Sequence, residues 1–116
     1  MEIIHTNQAP EAIGPYSQAI RVGNVLYSSG QIAINPATGT VEATDIVGQS
    51  KQVMKNLEAV LKEAGATFAN VVKTTCFLKD VAADFAAFNT VYAEAMGENK
   101  PAVSVLQNCQ RAFWSK

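Results

Sequence analysis

Histidine occurs once in these 116 residues, at His5, and that single fact removes several chemistries. A metal centre needs three or four clustered ligands, and no second histidine or Cys/Asp cluster stands near His5. His5 is therefore expected on the surface or at a strand edge, and a Ser-His-Asp or Cys-His mechanism would need it to fold against a nucleophile. Cysteine is almost as scarce: Cys76 and Cys109, without CxxC spacing, fit a reducing cytoplasm better than a disulfide scaffold. No GxGxxG or Walker A pattern offers a nucleotide cofactor an anchor. Apolar runs are only a few residues long, so no membrane-spanning helix is expected, and MEIIHTNQAP has neither the basic nor the apolar region of a secretory signal. Net charge is −1 with a pI of about 5.7, and no basic stripe is visible, which argues against a nucleic-acid partner.

What the chain does contain is apolar surface to bury: 48% hydrophobic and 16% charged residues describe one folded domain over 1–116. Its charge is uneven. All ten acidic residues lie between Glu2 and Glu98, with six basic ones, whereas from Lys100 onward there are three basic residues, no acid, and the only tryptophan, Trp114.

Residues 1–5 alternate weakly as a short strand. Ala9 to Tyr16, broken by Pro10, Gly14 and Pro15, reads as a shaped loop. Ser17–Val22 and Asn24–Ser29 form a hairpin pattern hinged at Gly23-Asn24, two residues that tolerate positive φ. NPATGT at 35–40 is a second turn, with Val41 opening a short strand or extended connection. Over 45–64 the period changes: Ile46, Val53, Leu57, Val60, Leu61 and Ala64 recur at helical spacing, Thr44 or Asp45 can cap the start, and Gly65 suits the position after the end. Val71–Lys79 is β-branched and predicts a strand with neighbours on each side. Phe85, Phe88, Tyr92 and Met96 predict a helix over 84–96 ended by Gly97, and Val103–Leu106 is a final strand. The order gives an α+β domain, a mixed sheet with two helices packed on one face. No repeat or low-complexity tract is present.

Few residues are left to carry chemistry. Cys76 in mid-strand reads as a small core hydrophobe, and Lys73 and Lys79 as solvated. The remaining feature is hydroxyl- and glycine-rich backbone, Gly14-Pro15-Tyr16-Ser17-Gln18 and Ser28-Ser29-Gly30-Gln31, which by composition alone is two turns around a hairpin. Taken together, however, IGPYSQA, YSSGQI, NPATG, LKEAGA, VVKTTCFLKD and FAAFNTVYAE occur in an order and spacing that resemble the YjgF/RidA family of enamine/imine deaminases, from about residue 3 to Ala102. The resemblance implies a chorismate-mutase-like α+β fold, a homotrimer with active sites between subunits, and hydrolysis of imines and enamines such as 2-aminoacrylate to a 2-oxo acid and ammonia. It implies no metal and no organic cofactor. By the same resemblance Tyr16 borders the pocket, Ser29 and Gly30 line it, the Gly30 backbone helps place substrate or water and is the catalytic candidate, and Asn89 is a polar position that is structural or stands behind the site.

From Val103 the resemblance breaks. The family carries an arginine after Pro-Ala, a bidentate grip for a carboxylate, where this chain has Val103. A cysteine is common two positions on; here it is Val105. A pattern like VAKLPKGVLVE, whose glutamate helps activate water, is replaced by LQNCQRAFWSK. Shifting the reading frame by one base lets the codons of Leu106–Lys116 encode VAKLPKGVLVE, with leucine forced at both Asn108-Cys109 and Phe113-Trp114. The expectation is a frameshift or small deletion of seven nucleotides near Ala102, leaving 103–116 as a divergent tail. Three functions follow: a deaminase, an impaired small-molecule-binding or regulatory relative of one, or the endoribonuclease and translation-inhibitor activity also attached to the family.

Overall fold

The computed structural model describes residues 1–107. Strands β1 (Glu2–Ile4), β2 (Ala19–Val22) and β3 (Val25–Ser28) form an antiparallel sheet in that order. The hairpin turn falls at Gly23-Asn24, but only Gly23 takes positive φ, +60°, as a turn with glycine first requires. Pairing runs Ile4↔Ala19 and Ala19↔Ser28, so Ile4 and Ala19 share the buried face. The opposite face carries Ile3, Ile20, Val22, Val25 and Tyr27, and of these all but Ile20 are exposed. The second turn closes a two-residue ladder, β4 (Ile34–Asn35) on β5 (Thr40–Val41).

The first helix, α1 (Ile46–Glu63), is capped by Asp45, whose carboxylate accepts the Gly48 N–H at 3.2 Å. Its buried residues are Ser50, Met54, Asn56 and Val60. Expected core positions Ile46, Val53, Leu57 and Leu61 are only half-buried, so the inward stripe is turned from the one the apolar residues mark. A 3₁₀ turn at Phe68–Asn70, absent from the sequence reading, is closed by a reciprocal box: the Thr67 hydroxyl accepts from Ala69 N–H, and Thr67 N–H donates to the Asn70 side chain.

Strand β6 (Lys73–Leu78), helix α2 (Val81–Met96) and strand β7 (Ala102–Gln107) make a parallel pair joined by a crossover helix. Asp80 caps α2 through Ala83 N–H at 3.1 Å, and Gly97 ends it at φ +62°. The helix begins earlier than expected because this cap lies at residue 80. Val71 and Val72 lie outside β6, with Val72 well exposed. Among the described residues β6 pairs only with β7, not with strands on each side, and the strands fall into three hydrogen-bonded sets rather than one ladder.

The α+β class with two helices stands, and two apolar clusters hold it together. Ile4, Ala9, Ala19, Val60 and Ala64 join the antiparallel sheet to α1; Met54, Leu78, Phe88, Val91, Tyr92 and Met96 join both helices to the parallel pair. No helix of the described residues is long and apolar enough to cross a membrane. Cys109, Phe113, Trp114 and most of the divergent tail lie outside the described residues; Val103 to Leu106 lie in β7.

Candidate functional site

The loop before β2 closes on itself. Tyr16 N–H donates to the Gly14 carbonyl at 2.8 Å, and the Tyr16 hydroxyl accepts from Ile13 N–H at 3.4 Å, which leaves the ring half in solvent, 52% exposed. Pro10 and Pro15 preset the backbone for this return. Across from it, Ser29 follows β3 and is tied to the loop's last residues: its N–H donates to the Gln18 carbonyl at 3.0 Å and its hydroxyl to the Ser17 carbonyl at 2.5 Å. Because that hydroxyl spends its proton on Ser17, its lone pairs remain to accept from a water or an N–H.

Gly30 comes next. Its φ is not positive, and a Cβ built there would meet no atom within 4 Å. Neither backbone strain nor a neighbouring side chain demands glycine at this position. Ser29 and Gly30 are thus tied to Ser17 and Gln18 at the end of the loop, whereas the Tyr16 ring folds back on residues 13–14.

Asn89 is placed elsewhere. It is exposed on α2 and lines a groove of about 310 Å³ with Phe85, Phe88, Tyr92, Val103 and Val105. Val103, which stands where the resemblance has arginine, is thus in the same groove as Asn89, and none of Tyr16, Ser29 or Gly30 lines it. A second groove of about 590 Å³ runs between the end of α1, the 3₁₀ turn and the end of α2, and contains none of the four.

The titratable residues offer little. His5 is exposed and pairs with Glu11 at 3.1 Å. Burial pushes the Cys76 thiol above its ordinary value, against a lowering hydrogen bond from Thr74, so it stays a protonated thiol and a poor nucleophile. Burial also raises Tyr92, whose hydroxyl lies 2.8 Å from that of Thr74. Lys73 and Lys79 are exposed. No group of three or more His, Cys, Asp or Glu among the described residues could hold a metal ion.

Two residues to which the sequence reading gave no role flank Ser29 and Gly30. Gln18 is buried with its side-chain amide bonded to residues 6–10, and Asn56 is buried with its amide bonded to Ile32 and Ile34. A signal for Asn56 exists: it falls among the helical positions marked by Val53, Val60 and Ala64. Gln18 offers none, since its partners are brought to it only by loop closure.

The family model described as endoribonuclease L-PSP matches residues 6–111. A RutC family protein of Pyrococcus abyssi is 54% identical over 101 residues, covering 87% of this chain and 79% of the relative. The solved structure of RidA from the Antarctic bacterium Psychrobacter sp. superposes with a TM-score of 0.90 at 35% identity, covering 97% of this chain and 90% of that one. TdcF of E. coli, solved with bound serine, has a TM-score of 0.90 at 34% identity, with 99% and 91% covered.

Proposed function

This chain belongs to the endoribonuclease L-PSP family, the group of the RutC and Rid proteins, and from that premise we propose that it is a cofactor-independent deaminase of small 2-imino and enamine acids. The observation that carries the reading is the Ser29–Gly30 turn: a hydroxyl that donates to the Ser17 carbonyl and keeps lone pairs to accept, beside a glycine with no atom within 4 Å of where a side chain would stand. Serine bound to the related TdcF supports a small amino-acid-like ligand.

In the reaction, an enamine first shifts a proton from nitrogen to Cβ to become the imine. Water then adds to the imine carbon and passes one proton to nitrogen. Its second proton moves to nitrogen as the C–N bond breaks, releasing ammonia and leaving the water oxygen as the carbonyl of the 2-oxo acid. Such a substrate needs no metal or covalent catalyst, only a held carboxylate and a placed water. Ser29 Oγ accepts a hydrogen bond from the water or the imine N–H, the Gly30 backbone lets the substrate approach, and Tyr16 borders the pocket as the family resemblance implies. In this reading Asn89 and Val103 form the other wall, contributed by a second copy, because they line a separate groove on the protomer. The exposed face made by Ile3, Val22, Val25 and Tyr27 provides the apolar surface for a homotrimer. Sedimentation at micromolar concentration is expected to give a trimer; a monomer would overturn the shared cleft.

Val103 favours a second reading, a ligand-binding member of the family with lowered turnover, since valine offers no charge to a carboxylate. A frameshift or small deletion near Ala102 would account for it. Both readings meet in one assay: the purified protein is mixed with a threonine dehydratase, and 2-oxobutanoate formation is followed. Acceleration in proportion to protein supports the deaminase; none at any concentration overturns it for this chain. Restoring the seven nucleotides is expected to raise turnover about tenfold or more, the effect of regaining a charge-assisted bidentate contact. Unchanged turnover would defeat the frameshift account.

A further inference from the structure

The loop that carries Ser29 and Gly30 has few apolar contacts to hold it, yet it is fastened on both sides by buried amides. Upstream, Gln18 is 3% exposed. Its Oε1 accepts from Thr6 N–H at 2.7 Å, and its Nε2 faces the carbonyls of Thr6, Ala9 and Pro10 at 3.1, 3.3 and 2.8 Å. The same residue's backbone carbonyl takes the Ser29 N–H. One residue thus fixes the start of the Tyr16 loop through its side chain and Ser29 through its main chain. Downstream, Asn56 is 0% exposed; its Nδ2 donates to the Ile32 and Ile34 carbonyls at 3.0 and 2.9 Å, and its Oδ1 accepts from Gln52 Nε2 at 2.9 Å. Between these two anchors only Gly30 and Gln31 remain.

We propose that Gln18 and Asn56 are positioning residues that clamp the Ser29–Gly30 loop from its two ends and so set the shape of the substrate corner. The assignment rests on the functional reading of that corner, but the clamp itself has a readout independent of it. A buried amide in a protein interior satisfies carbonyls wherever it sits, so a control of the same chemistry is needed. Asn99 provides it: its Nδ2 donates to the Phe68 and Val71 carbonyls at 2.7 and 2.9 Å, beside the 3₁₀ turn.

The test uses the full chain with Gln18→Met, Asn56→Leu and Asn99→Leu, and Gln52→Ala as a milder change at the half-buried partner of Asn56. Amide hydrogen exchange is measured by peptide, below the melting temperature of each variant. Gln18→Met and Asn56→Leu are expected to speed exchange over 28–34 about tenfold or more, with 68–73 at the wild-type rate; Asn99→Leu does the reverse. Equal acceleration of both segments in all three would mean general loosening and overturn the clamp. Should Gln18→Met or Asn56→Leu fail to fold, Gln52→Ala decides: faster exchange confined to 32–34 supports it, wild-type exchange there defeats it.

In the imine assay, Gln18→Met should raise KM about tenfold with kcat within about threefold, the mark of lost binding geometry, while Asn99→Leu leaves both unchanged. Normal KM in a folded Gln18→Met protein whose loop exchanges fast would overturn the role in substrate positioning. Absence of turnover in the wild type would defeat the deaminase reading alone, and the exchange experiment would still decide the clamp.

Discussion

The two apolar clusters of this protein are built from different materials. The one beneath the antiparallel sheet contains three alanines, Ala9, Ala19 and Ala64, with Ile4 and Val60. The one between the helices and the parallel pair is made of Met54, Leu78, Phe88, Val91, Tyr92 and Met96, with the Phe88 and Tyr92 rings meeting edge to face at 5.7 Å. Large side chains bury more area, and area is the main source of stability. The sheet of strands three or four residues long has little of it and is completed by polar bonds: the Gln18 amide, and Arg21, which donates to the Ala64 carbonyl and pairs with Glu2 at 3.4 Å, while the Asn56 amide ties the segment after β3 to α1. Apolar packing is tolerant of small shifts, whereas a hydrogen bond fixes a distance and a direction. The candidate site sits on the half fixed by hydrogen bonds, and the half packed by large side chains supplies the bulk against which it rests.

That contrast is sharpest in mutations that hollow each cluster. Phe88→Ala should cost about 3–5 kcal/mol in urea denaturation, because the ring and its contact with Tyr92 are lost together. Val60→Ala, at the fully buried centre of the other cluster, should cost about 2 kcal/mol, two methyl groups with their cavity. Equal costs would break the distinction between the halves.

A smaller effect is expected from alkali. Cys76 and Tyr92 both belong to the parallel half, and burial raises both above their ordinary values. The unfolded chain then loses these protons at lower pH than the folded one, so the unfolded state is favoured as pH rises through about 9 and beyond, and stability falls there. Urea midpoints from pH 7 to 10 should show the decline, and Cys76→Val should remove its earlier part. A flat profile for the unsubstituted protein would mean that the thiol and phenol titrate freely in the fold.

The sequence discloses these halves unevenly. Periodicity places both helices, and Asp45, Gly23 and Gly97 mark a cap, a turn and an end, since such signals are local. The inward face of α1 is less legible, because Asn56 takes a core position that its polarity disguises, and Ser50 does the same. The expectation of one mixed sheet came from adding strands in order, and strand neighbours are decided by distant pairing rather than by any residue type. At the site, Tyr16, Ser29 and Gly30 were named through family resemblance; Ser29 is bonded to Ser17 and Gln18, next in the chain to Tyr16, while the Tyr16 ring folds back on residues 13–14. Asn89 was named in the same way and lies with Val103 in a different groove. Gln18 was quoted as the last residue of the Gly14–Gln18 segment, but its role could not be read, for its three carbonyl partners carry no side-chain signature at all.

The parallel pairing of β6 with β7 also bears on how the chain acquires its shape over time. Each partner in that ladder, from Lys73↔Ala102 to Leu78↔Gln107, lies 29 positions from its mate, whereas the β2–β3 hairpin starts from residues three apart, Val22↔Val25. Loop closure slows with separation, so the hairpin can form while the chain is still emerging from the ribosome. The larger apolar cluster must wait for Ala102 and the residues after it. Until then Leu78, Phe88 and Tyr92 lack their last wall, and nascent chains halted just short of β7 are the form of this protein that chaperones should hold longest.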